Sequence, residues 1–359
     1  MSITRTFAPA APFFLAAVLA VTACGSSPNT NTETNTSTGT TGTSTSTGAS
    51  TNASTNTAAT TQLTLYTSVT QNTITAVLGG FETANPNIKV SVFRATTGQL
   101  NARIAADRHS GGLRAGVIWG TDPLSMETYA QQGLFRPWPL PALAGVPAAD
   151  KATYFWGTRE LFLVIVARKG LSPMPQNWTD LTSAAYKGKV ALPDPAAAGS
   201  AFAALDYFDT APGFGLDFYR ALKANGAVQV STIPEVVTDV AEGRYQLGIT
   251  LDSEVRSAIA EGSPVTMDWP ADGAISLYSP IAETVAATGG TNTAAQAFLT
   301  YVLSPAGQAV IGKTGWQPVL PGIAGPPQPA GATAVYPGWS ALFGRQQQIL
   351  QQYQAIFGA

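Results

Sequence analysis

Apolar residues recur along the chain with two different spacings, one typical of strands and one typical of helices. Residues 63–66 alternate between apolar and polar side chains, as in a half-buried strand, and Ile74, Val77, Leu78 and Phe81 follow with helical spacing. The same alternation predicts strands at residues 89–93 and 116–119, and helices at residues 98–106 and 122–133. Strands that alternate with helices in this order predict a parallel sheet covered by helices.

A second series of alternating elements begins with a long apolar strand at residues 161–167. The pattern predicts strands at residues 189–192 and 245–251, and helices at residues 200–208 and 216–223. The remaining elements are a strand at 275–285, a helix at 293–303 with a short helix after it, a loop rich in proline and glycine at 318–337, and a final helix that includes residues 349–357. The sequence therefore predicts a second α/β lobe.

The first residues have the pattern of a secretory signal. Arg5 is the only charge before an apolar run at residues 13–21, which is too short to cross a bilayer, since crossing takes about 20 apolar residues. We expect residues 1–23 to be a lipoprotein signal peptide, because residues 21–24 (VTAC) resemble the bacterial lipobox, whose cysteine is lipidated. Cys24, the only cysteine of the chain, is thus the predicted lipidation site and membrane anchor. The alternative is a buried cysteine in an ordinary signal.

A low-complexity segment follows. Residues 24–60 are almost entirely threonine, serine, asparagine, glycine and alanine, with Glu33 as the only charge. Such a segment lacks the large apolar side chains that offset the entropy lost on ordering, so we expect a disordered tether. About 300 residues remain beyond it, which is enough for two domains.

Charge is sparse and nearly balanced along the chain. Only 11% of residues are charged and the formal net charge is -2, so no basic stripe can follow a phosphate backbone and we expect no nucleic-acid partner. His109 is the only histidine, and a lipidated chain has no free thiol, so nucleophile–histidine pairs and His/Cys zinc sites lack their residues. We therefore expect no enzyme, no cofactor and no metal; the alternative is a phosphatase that uses carboxylates and a metal.

Short motifs follow the predicted elements in a fixed order across residues 63–321. They are residues 65–68 (LYTS), 96–100 (TTGQL), 177–181 (NWTDL), 186–190 (YKGKV), 192–195 (LPDP) with 199–200 (GS), 241–243 (AEG), 260–264 (AEGSP) and 303–308 (LSPAGQ). In this order and spacing they resemble the type II periplasmic binding-protein fold, in the group of ferric-iron, phosphonate and sugar-phosphate receptors that serve ABC importers.

That resemblance implies an α/β fold of two lobes joined by two or more hinge crossings, with the ligand in the cleft between them. We expect lobe 1 to comprise residues 61–157 and 272–320, and lobe 2 to comprise residues 158–271 and 321–359. The resemblance also implies a monomer in the cell envelope, outside the cytoplasm, that delivers a small-molecule solute to an ABC permease and ATPase complex.

Hydroxyl and glycine residues stand where predicted strands end and helices begin. In an open α/β sheet such positions offer unpaired backbone N–H groups and a positive helix end, so they attract anions. We expect ligand contacts from Ser68, Thr97, Gly98, Gly199 and Ser200. Thr96 and Gln99 have the spacing of a capping box, which explains the segment around Thr97 without any ligand.

Three further candidates come from the resemblance. Arg159 is similar to the arginine that holds an anion in iron-binding relatives, and a guanidinium binds carboxylate or phosphate through two hydrogen bonds. An ion pair with Glu160 or with another surface acid is the alternative. Asp252 follows the last strand of lobe 2, from which relatives reach the ligand, but is equally explained as a helix N-cap. Tyr278 lies near the predicted hinge, where an aromatic ring either walls the pocket or belongs to the core.

The sequence departs from the iron receptors at one place. Those relatives usually carry two adjacent tyrosines after the last strand of lobe 2, whereas residues 251–255 read LDSEV. We therefore expect the substrate-binding component of an ABC importer for a small anionic solute, organophosphate- or phosphonate-like. The alternatives are a ferric-iron receptor that lacks the tyrosine pair and a tethered sensory binding protein.

Overall fold

The computed structural model describes residues 59–138 and 145–358. The predicted signal peptide, Cys24 and nearly all of the predicted tether lie outside the described residues, so these stay predictions. None of the described helices combines the length and the apolar character that crossing a membrane requires.

Three parallel strands begin the fold, and their order in the sheet is β2-β1-β3. They are β1 (Thr61–Thr67), β2 (Ile88–Arg94) and β3 (Val117–Trp119), and each is followed by a helix: α1 (Gln71–Ala84), α2 (Thr97–His109) and α3 (Pro123–Gln131). The alternation predicted for this region is confirmed. Ile74, Val77 and Phe81 of α1 are buried, because their helical spacing puts them on the face that packs against the sheet.

The next strand, β4 (Trp156–Arg168), is 13 residues long and buried on both faces. Successive side chains of a strand point to opposite faces, so Phe162 and Val164 join one apolar cluster while Leu161 and Leu163 join another. Burial of each such side chain stabilises the fold by about 1.5–3 kcal/mol. Strand β4 therefore anchors two separate parts of the core.

A second set of parallel strands has the order β7-β5-β6. Its elements are β5 (Val190–Pro193), α4 (Gly199–Thr210), α5 (Gly215–Ala224), β6 (Val228–Val230), α6 (Ile233–Glu242), β7 (Leu247–Leu251) and α7 (Asp252–Ala260). The predicted second α/β unit is therefore present.

Strand β4 and a later strand that pairs antiparallel with it join the two sets, and a further strand pairs with β4. Strand β8 (Val265–Asp268) pairs with β4, and β9 (Ala274–Glu283) pairs with both β3 and β4. The main path through the sheet is β2-β1-β3-β9-β4-β7-β5-β6. Because β4 and β9 each contribute to both halves of this path, they are the connection about which the halves would move.

The last elements return to both sets of strands. They are α8 (Gly289–Val302), α9 (Pro305–Lys313), β10 (Gln317–Pro318), β11 (Ala334–Val335) and α10 (Gln346–Phe357). Helix α8 packs on β1 and α9 packs on α1, whereas α10 packs on α4 and α5. We call β1–β3 with α1–α3, α8 and α9 lobe 1, and β5–β7 with α4–α7 and α10 lobe 2.

The apolar spacing did not predict strands β6, β8, β10 and β11 or helix α6. The strands are two to four residues long, too short for a period-2 pattern. Helix α6 carried usable signals: Thr232 caps it by accepting from the Glu235 N–H at 3.2 Å, and Gly243 ends it in a left-handed conformation. Val236 and Val240 form its buried face.

Phe208 of α4 is the centre of an aromatic cluster in lobe 2. It is fully buried, and its ring centroid lies 4.8–6.1 Å from those of Trp178, Phe218 and Tyr219. We expect Phe208→Ala to lower the free energy of unfolding by about 3–5 kcal/mol, because it removes these contacts and leaves a cavity. Urea denaturation of the purified protein measures the change. Tyr336→Ala, at a side chain that is 61% exposed, is the control and should change stability little; equal losses in both variants would contradict the packing.

Candidate functional site

A cavity of about 360 Å³ lies between the two lobes, where strands of both end. Its lining comes from lobe 1, from lobe 2 and from β4. Five of the residues predicted from the sequence line it: Ser68, Thr97, Arg159, Gly199 and Ser200. A molecule in this cavity would touch both lobes and the strand that joins them.

Five helices begin at the cavity. Their N-cap residues all line it: Thr70 for α1, Thr96 for α2, Ala198 for α4, Thr232 for α6 and Leu251 for α7. Each helix N-terminus carries about half a unit of positive charge and backbone N–H groups without intrahelical partners. The backbone alone therefore makes the cavity attractive to anions.

The start of α4, like those of α1 and α7, has no side-chain cap and therefore leaves backbone donors available. Thr96 caps α2 in a capping box with Gln99, and Thr232 caps α6, so part of their first turns is already satisfied. Ala198 has no side-chain oxygen and does not cap α4. The first amides of α4, at Gly199 and Ser200, are thus left for a ligand or for water.

Arg159 supplies a buried positive charge at the same cavity. Its side chain is 1% exposed, and its guanidinium carbon lies 3.8 Å from the ring centroid of Trp316. The Nε and Nη1 groups have no hydrogen-bond partner among the described residues. Burial lowers the pKa of Arg159 to about 9, while Glu254 opposes the shift, so the guanidinium is charged at neutral pH.

The alternative expected for Arg159, an ion pair with Glu160, is not among the ion pairs of residues 59–138 and 145–358. Glu160 is the next residue of β4, and burial raises its pKa to about 7, with the Asp150 charge adding to the shift. Leaving a buried cation unpaired costs several kcal/mol. A buried charge without a partner is typical of a functional site, here one that would bind an anion.

A β-bulge sets the position of Arg159. The pairing of β4 with β9 changes register between Gly157 and Glu160, and bulges of this kind re-aim a side chain. The buried Gln308 of α9 donates from Nε2 to the Thr158 carbonyl at 2.8 Å and accepts from the Val319 N–H at 2.9 Å. It therefore ties the bulge to the segment that follows Trp316.

Hydroxyl groups of lobe 1 form a short chain at the cavity. The Ser68 Oγ and Thr121 Oγ1 atoms are 3.1 Å apart, and the Thr97 and Thr121 Oγ1 atoms are 3.5 Å apart. Thr121 was not predicted as a site residue. It stands after β3 and before the Asp122-Pro123 helix start, a strand-to-helix position like those of the predicted hydroxyls.

Gly98 and Gly199 lie where the lobes touch each other. The Gly98 N–H of lobe 1 donates to the Ala197 carbonyl of lobe 2 at 3.2 Å, and a Cβ on Gly98 would lie 2.6 Å from the Ala196 carbonyl oxygen. A Cβ on Gly199 would overlap the Asp122 carboxylate of lobe 1. Both glycines therefore let the lobes approach each other, and Gly199 also lines the cavity, so the predicted ligand contacts of Gly98 and Gly199 stay predictions.

Asp252 and Tyr278 are not among the residues that line the cavity. Asp252 is buried, its carboxylate lies 2.7 Å from the Arg256 guanidinium, and it also accepts from the Phe162 N–H. It is the first residue of α7, and Leu251 holds the N-cap position proposed for it. Tyr278 is 3% exposed in β9, packed against Gly157. Both side chains are therefore placed in the protein interior.

Further lining residues were not predicted from the sequence: Arg94, Ser231, Thr232, Glu254 and Trp316. The sequence near two of them indicated a helix start or a strand end, where a cavity residue is expected. Thr232 has the spacing of an N-cap before Glu235, and Arg94 comes directly after a predicted strand. Within residues 59–138 and 145–358, no three histidine, cysteine, aspartate or glutamate side chains are grouped as a metal site requires.

The fold and the cavity define a two-lobed α/β binding protein. The chain belongs to the bacterial extracellular solute-binding protein family, whose sequence model matches residues 63–317. An uncharacterized protein of Haemophilus influenzae is 24% identical over 246 residues, which is 64% of this chain and 69% of that protein. Membership of this family implies a location outside the cytoplasm.

Solved structures of periplasmic binding proteins share the fold. The periplasmic binding protein AfuA from Actinobacillus pleuropneumoniae, with fructose-6-phosphate bound, has a TM-score of 0.73 at 19% identity and covers 82% of this chain and 98% of its own. Iron-bound HitA from Pseudomonas aeruginosa has a TM-score of 0.71 at 17% identity, covering 83% and 99%. A periplasmic thiamin binding protein has a TM-score of 0.70 at 21% identity, covering 84% and 97%. The type II fold predicted from the motifs is confirmed.

Arginine-to-methionine exchanges distinguish a binding arginine from a structural one. We expect Arg159→Met to leave the free energy of unfolding of the ligand-free protein unchanged, or to raise it by about 1–3 kcal/mol, because it removes an unpaired buried charge and keeps an apolar contact with Trp316. Urea denaturation measures this.

Arg103→Met is the matched control. The Arg103 guanidinium donates to Asp107 at 3.0 Å and to the Tyr66 hydroxyl at 3.1 Å, so its loss should destabilise the fold, because the buried Asp107 carboxylate loses a donor. A loss of the same size for Arg159→Met would assign Arg159 to the fold and not to binding.

Proposed function

We propose that this protein is the substrate-binding component of an ABC importer and captures a small anionic solute, organophosphate- or phosphonate-like, between its lobes. The observation that carries the proposal is the buried guanidinium of Arg159, whose Nε and Nη1 atoms have no hydrogen-bond partner in the part of the chain that the structure describes, at a cavity where five helices begin. A phosphate or phosphonate group has the charge and the several acceptor oxygens that such a set of donors requires.

The relatives support the transport role and the kind of solute. The substrate binding protein of an ABC transporter from Agrobacterium tumefaciens has the same fold at a TM-score of 0.73 and 19% identity. AfuA holds a sugar phosphate and HitA holds iron. In this proposal Cys24 carries the lipid anchor and residues 24–60 tether a monomeric binding domain to the membrane.

The binding mechanism is closure of the two lobes on the solute. Ser68 and Thr97 of lobe 1 would contact one side, Gly199 and Ser200 of lobe 2 the other, and Arg159 the anionic group from β4. Binding energy gained only when both lobes touch the solute favours the closed arrangement over the open one. No covalent step is involved.

A ligand screen followed by calorimetry tests the proposed solute. Thermal shifts of the purified protein with sugar phosphates, alkylphosphonates, carboxylates, thiamine, spermidine and ferric citrate should single out phosphates or phosphonates. We expect Arg159→Met to weaken binding of the best of these about 10- to 100-fold, since two charge-assisted hydrogen bonds are lost, and Ser200→Ala about 3- to 10-fold.

Arg220→Met and Ser257→Ala, at exposed positions, are the controls and should bind as the unchanged protein does. Stabilisation by thiamine, spermidine or ferric citrate without any response to phosphates or phosphonates would overturn the choice of an anionic solute.

A glycine exchange tests closure. Gly98→Ala places a methyl group against a backbone oxygen of lobe 2, which cannot rotate away as a side chain does. We expect affinity for the best anion to fall roughly 5- to 100-fold, because the closed arrangement is overpacked by about 1–3 kcal/mol, and small-angle scattering to show less compaction on binding. Gly79→Ala is the control, since a Cβ there meets open space. Unchanged affinity and compaction in Gly98→Ala would contradict closure at this contact.

A further inference from the structure

A carboxylate lines the cavity that otherwise favours anions. Glu254 is in the first turn of α7 and is one of the lining residues contributed by lobe 2. The pKa of Glu254 is shifted by burial and by the charges of nearby residues. Among the described residues, no group donates a hydrogen bond to its carboxylate. Glu254 therefore has acceptor oxygens available to the contents of the cavity.

The position of Glu254 near a helix start does not by itself explain it. An acidic residue in the first turn stabilises a helix through the dipole, but Asp252 already serves α7 in that way. Asp252 is also satisfied, since its carboxylate pairs with Arg256 at 2.7 Å. Glu254 has no such partner among the described residues and faces the cavity instead.

Glu254 and Arg159 are close enough to influence each other without forming an ion pair. Burial has the largest effect on both groups: it raises the pKa of Glu254 and lowers that of Arg159. The charges of Arg159 and of Arg94, which also lines the cavity, lower the pKa of Glu254, and the Glu254 charge raises that of Arg159. No salt bridge joins them within the described part of the chain. The cavity thus presents a cation with free donors and, separately, a carboxylate with free acceptors.

A solute with only negative charge does not match this pair. It would be attracted by Arg159 and the helix N-termini but repelled by Glu254 in a partly enclosed site, where charges interact more strongly than in water. A solute that carries an ammonium group beside its acidic group would satisfy both residues, because the ammonium donates up to three hydrogen bonds. The cavity volume of about 360 Å³ accommodates a small molecule of this kind.

We propose that the solute is zwitterionic, with a phosphate or phosphonate group held by Arg159 and the start of α4 and an ammonium group held by Glu254. This inference rests on the proposed function and makes it more specific. Glu254 is then the specificity-determining residue, because it selects aminoalkyl phosphonates or aminoalkyl phosphates against their amine-free counterparts.

Titration calorimetry with matched ligands tests the role of Glu254. The ligands are aminomethyl-, 2-aminoethyl- and 3-aminopropylphosphonate, each compared with the alkylphosphonate of the same chain length. The unchanged protein should bind the best amine at least tenfold more tightly than its amine-free partner. Glu254→Gln should weaken binding of that amine at least tenfold. It should leave binding of the alkylphosphonate equally tight or tighter, because the Glu254 carboxylate no longer repels the phosphonate group. Glu261→Gln, at an exposed position just beyond α7, is the control and should keep the preference.

The outcomes separate this inference from the function on which it rests. If alkylphosphonates bind as tightly as the amines, and Glu254→Gln changes neither, the zwitterion is wrong while phosphonate binding stands. If none of the six compounds binds, phosphonates are excluded as the solute and the inference is overturned with them, while binding of sugar phosphates in the ligand screen would keep the organophosphate form of the proposed function. If the amine preference persists in Glu254→Gln, another group holds the ammonium and the role assigned to Glu254 is overturned.

Discussion

The enclosure of an unpaired guanidinium is the constraint on which the rest of this structure depends. Removing a charge from water costs several kcal/mol, so a chain does not keep Arg159 buried unless its surroundings prevent the side chain from turning outward. Those surroundings are specific: β4 is paired along most of its length, a bulge aims the residue, Trp316 covers the guanidinium, and Gln308 ties the bulge to the segment after Trp316. Stability of the core around β4 and β9 thus supports an arrangement that is unfavourable on its own.

The electrostatics of the cavity come from two sources of different character. The five helix N-termini belong to the backbone and would persist through most side-chain substitutions, so they set the general preference for negative charge. Arg159, Glu254 and the hydroxyls of Ser68, Thr97 and Thr121 are side chains, and in the proposed function their arrangement decides which anion fits. Relatives with the same fold hold a sugar phosphate or iron, which agrees with a common backbone and differing side chains.

The order of elements could be predicted from the sequence because apolar spacing is a local property. Helix α1 and strand β4 each span enough residues for their periodicity to show, whereas β6 and β8 do not. Four residues that line the cavity, Ser68, Thr97, Gly199 and Ser200, were also predictable, since strand-to-helix junctions meet at one edge of a parallel sheet. Arg159 was predicted only from the family resemblance. Trp316 and Glu254 were not, because their place depends on contacts far apart in sequence. Gly98 shows most clearly what the sequence does not predict. A glycine indicates that another group lies close to its backbone, but not that this group is the Ala197 carbonyl of the other lobe.

Burial of Arg159 also provides a physical reason for coupling occupancy to closure. In an open arrangement water can reach the cavity and solvate the guanidinium, so the charge costs little. In the arrangement seen here the lobes touch at Gly98 and Gly199, and the Nε and Nη1 atoms of Arg159 have no hydrogen-bond partner among residues 59–138 and 145–358. In the proposed mechanism, closing an empty cavity would therefore be penalised, while closing on an anionic group would remove the penalty and add charge-assisted hydrogen bonds. A ligand shifts a conformational equilibrium only by its difference in affinity for the two states. The buried charge of Arg159 would enlarge that difference, because it disfavours the closed state without a ligand and favours the closed state with one.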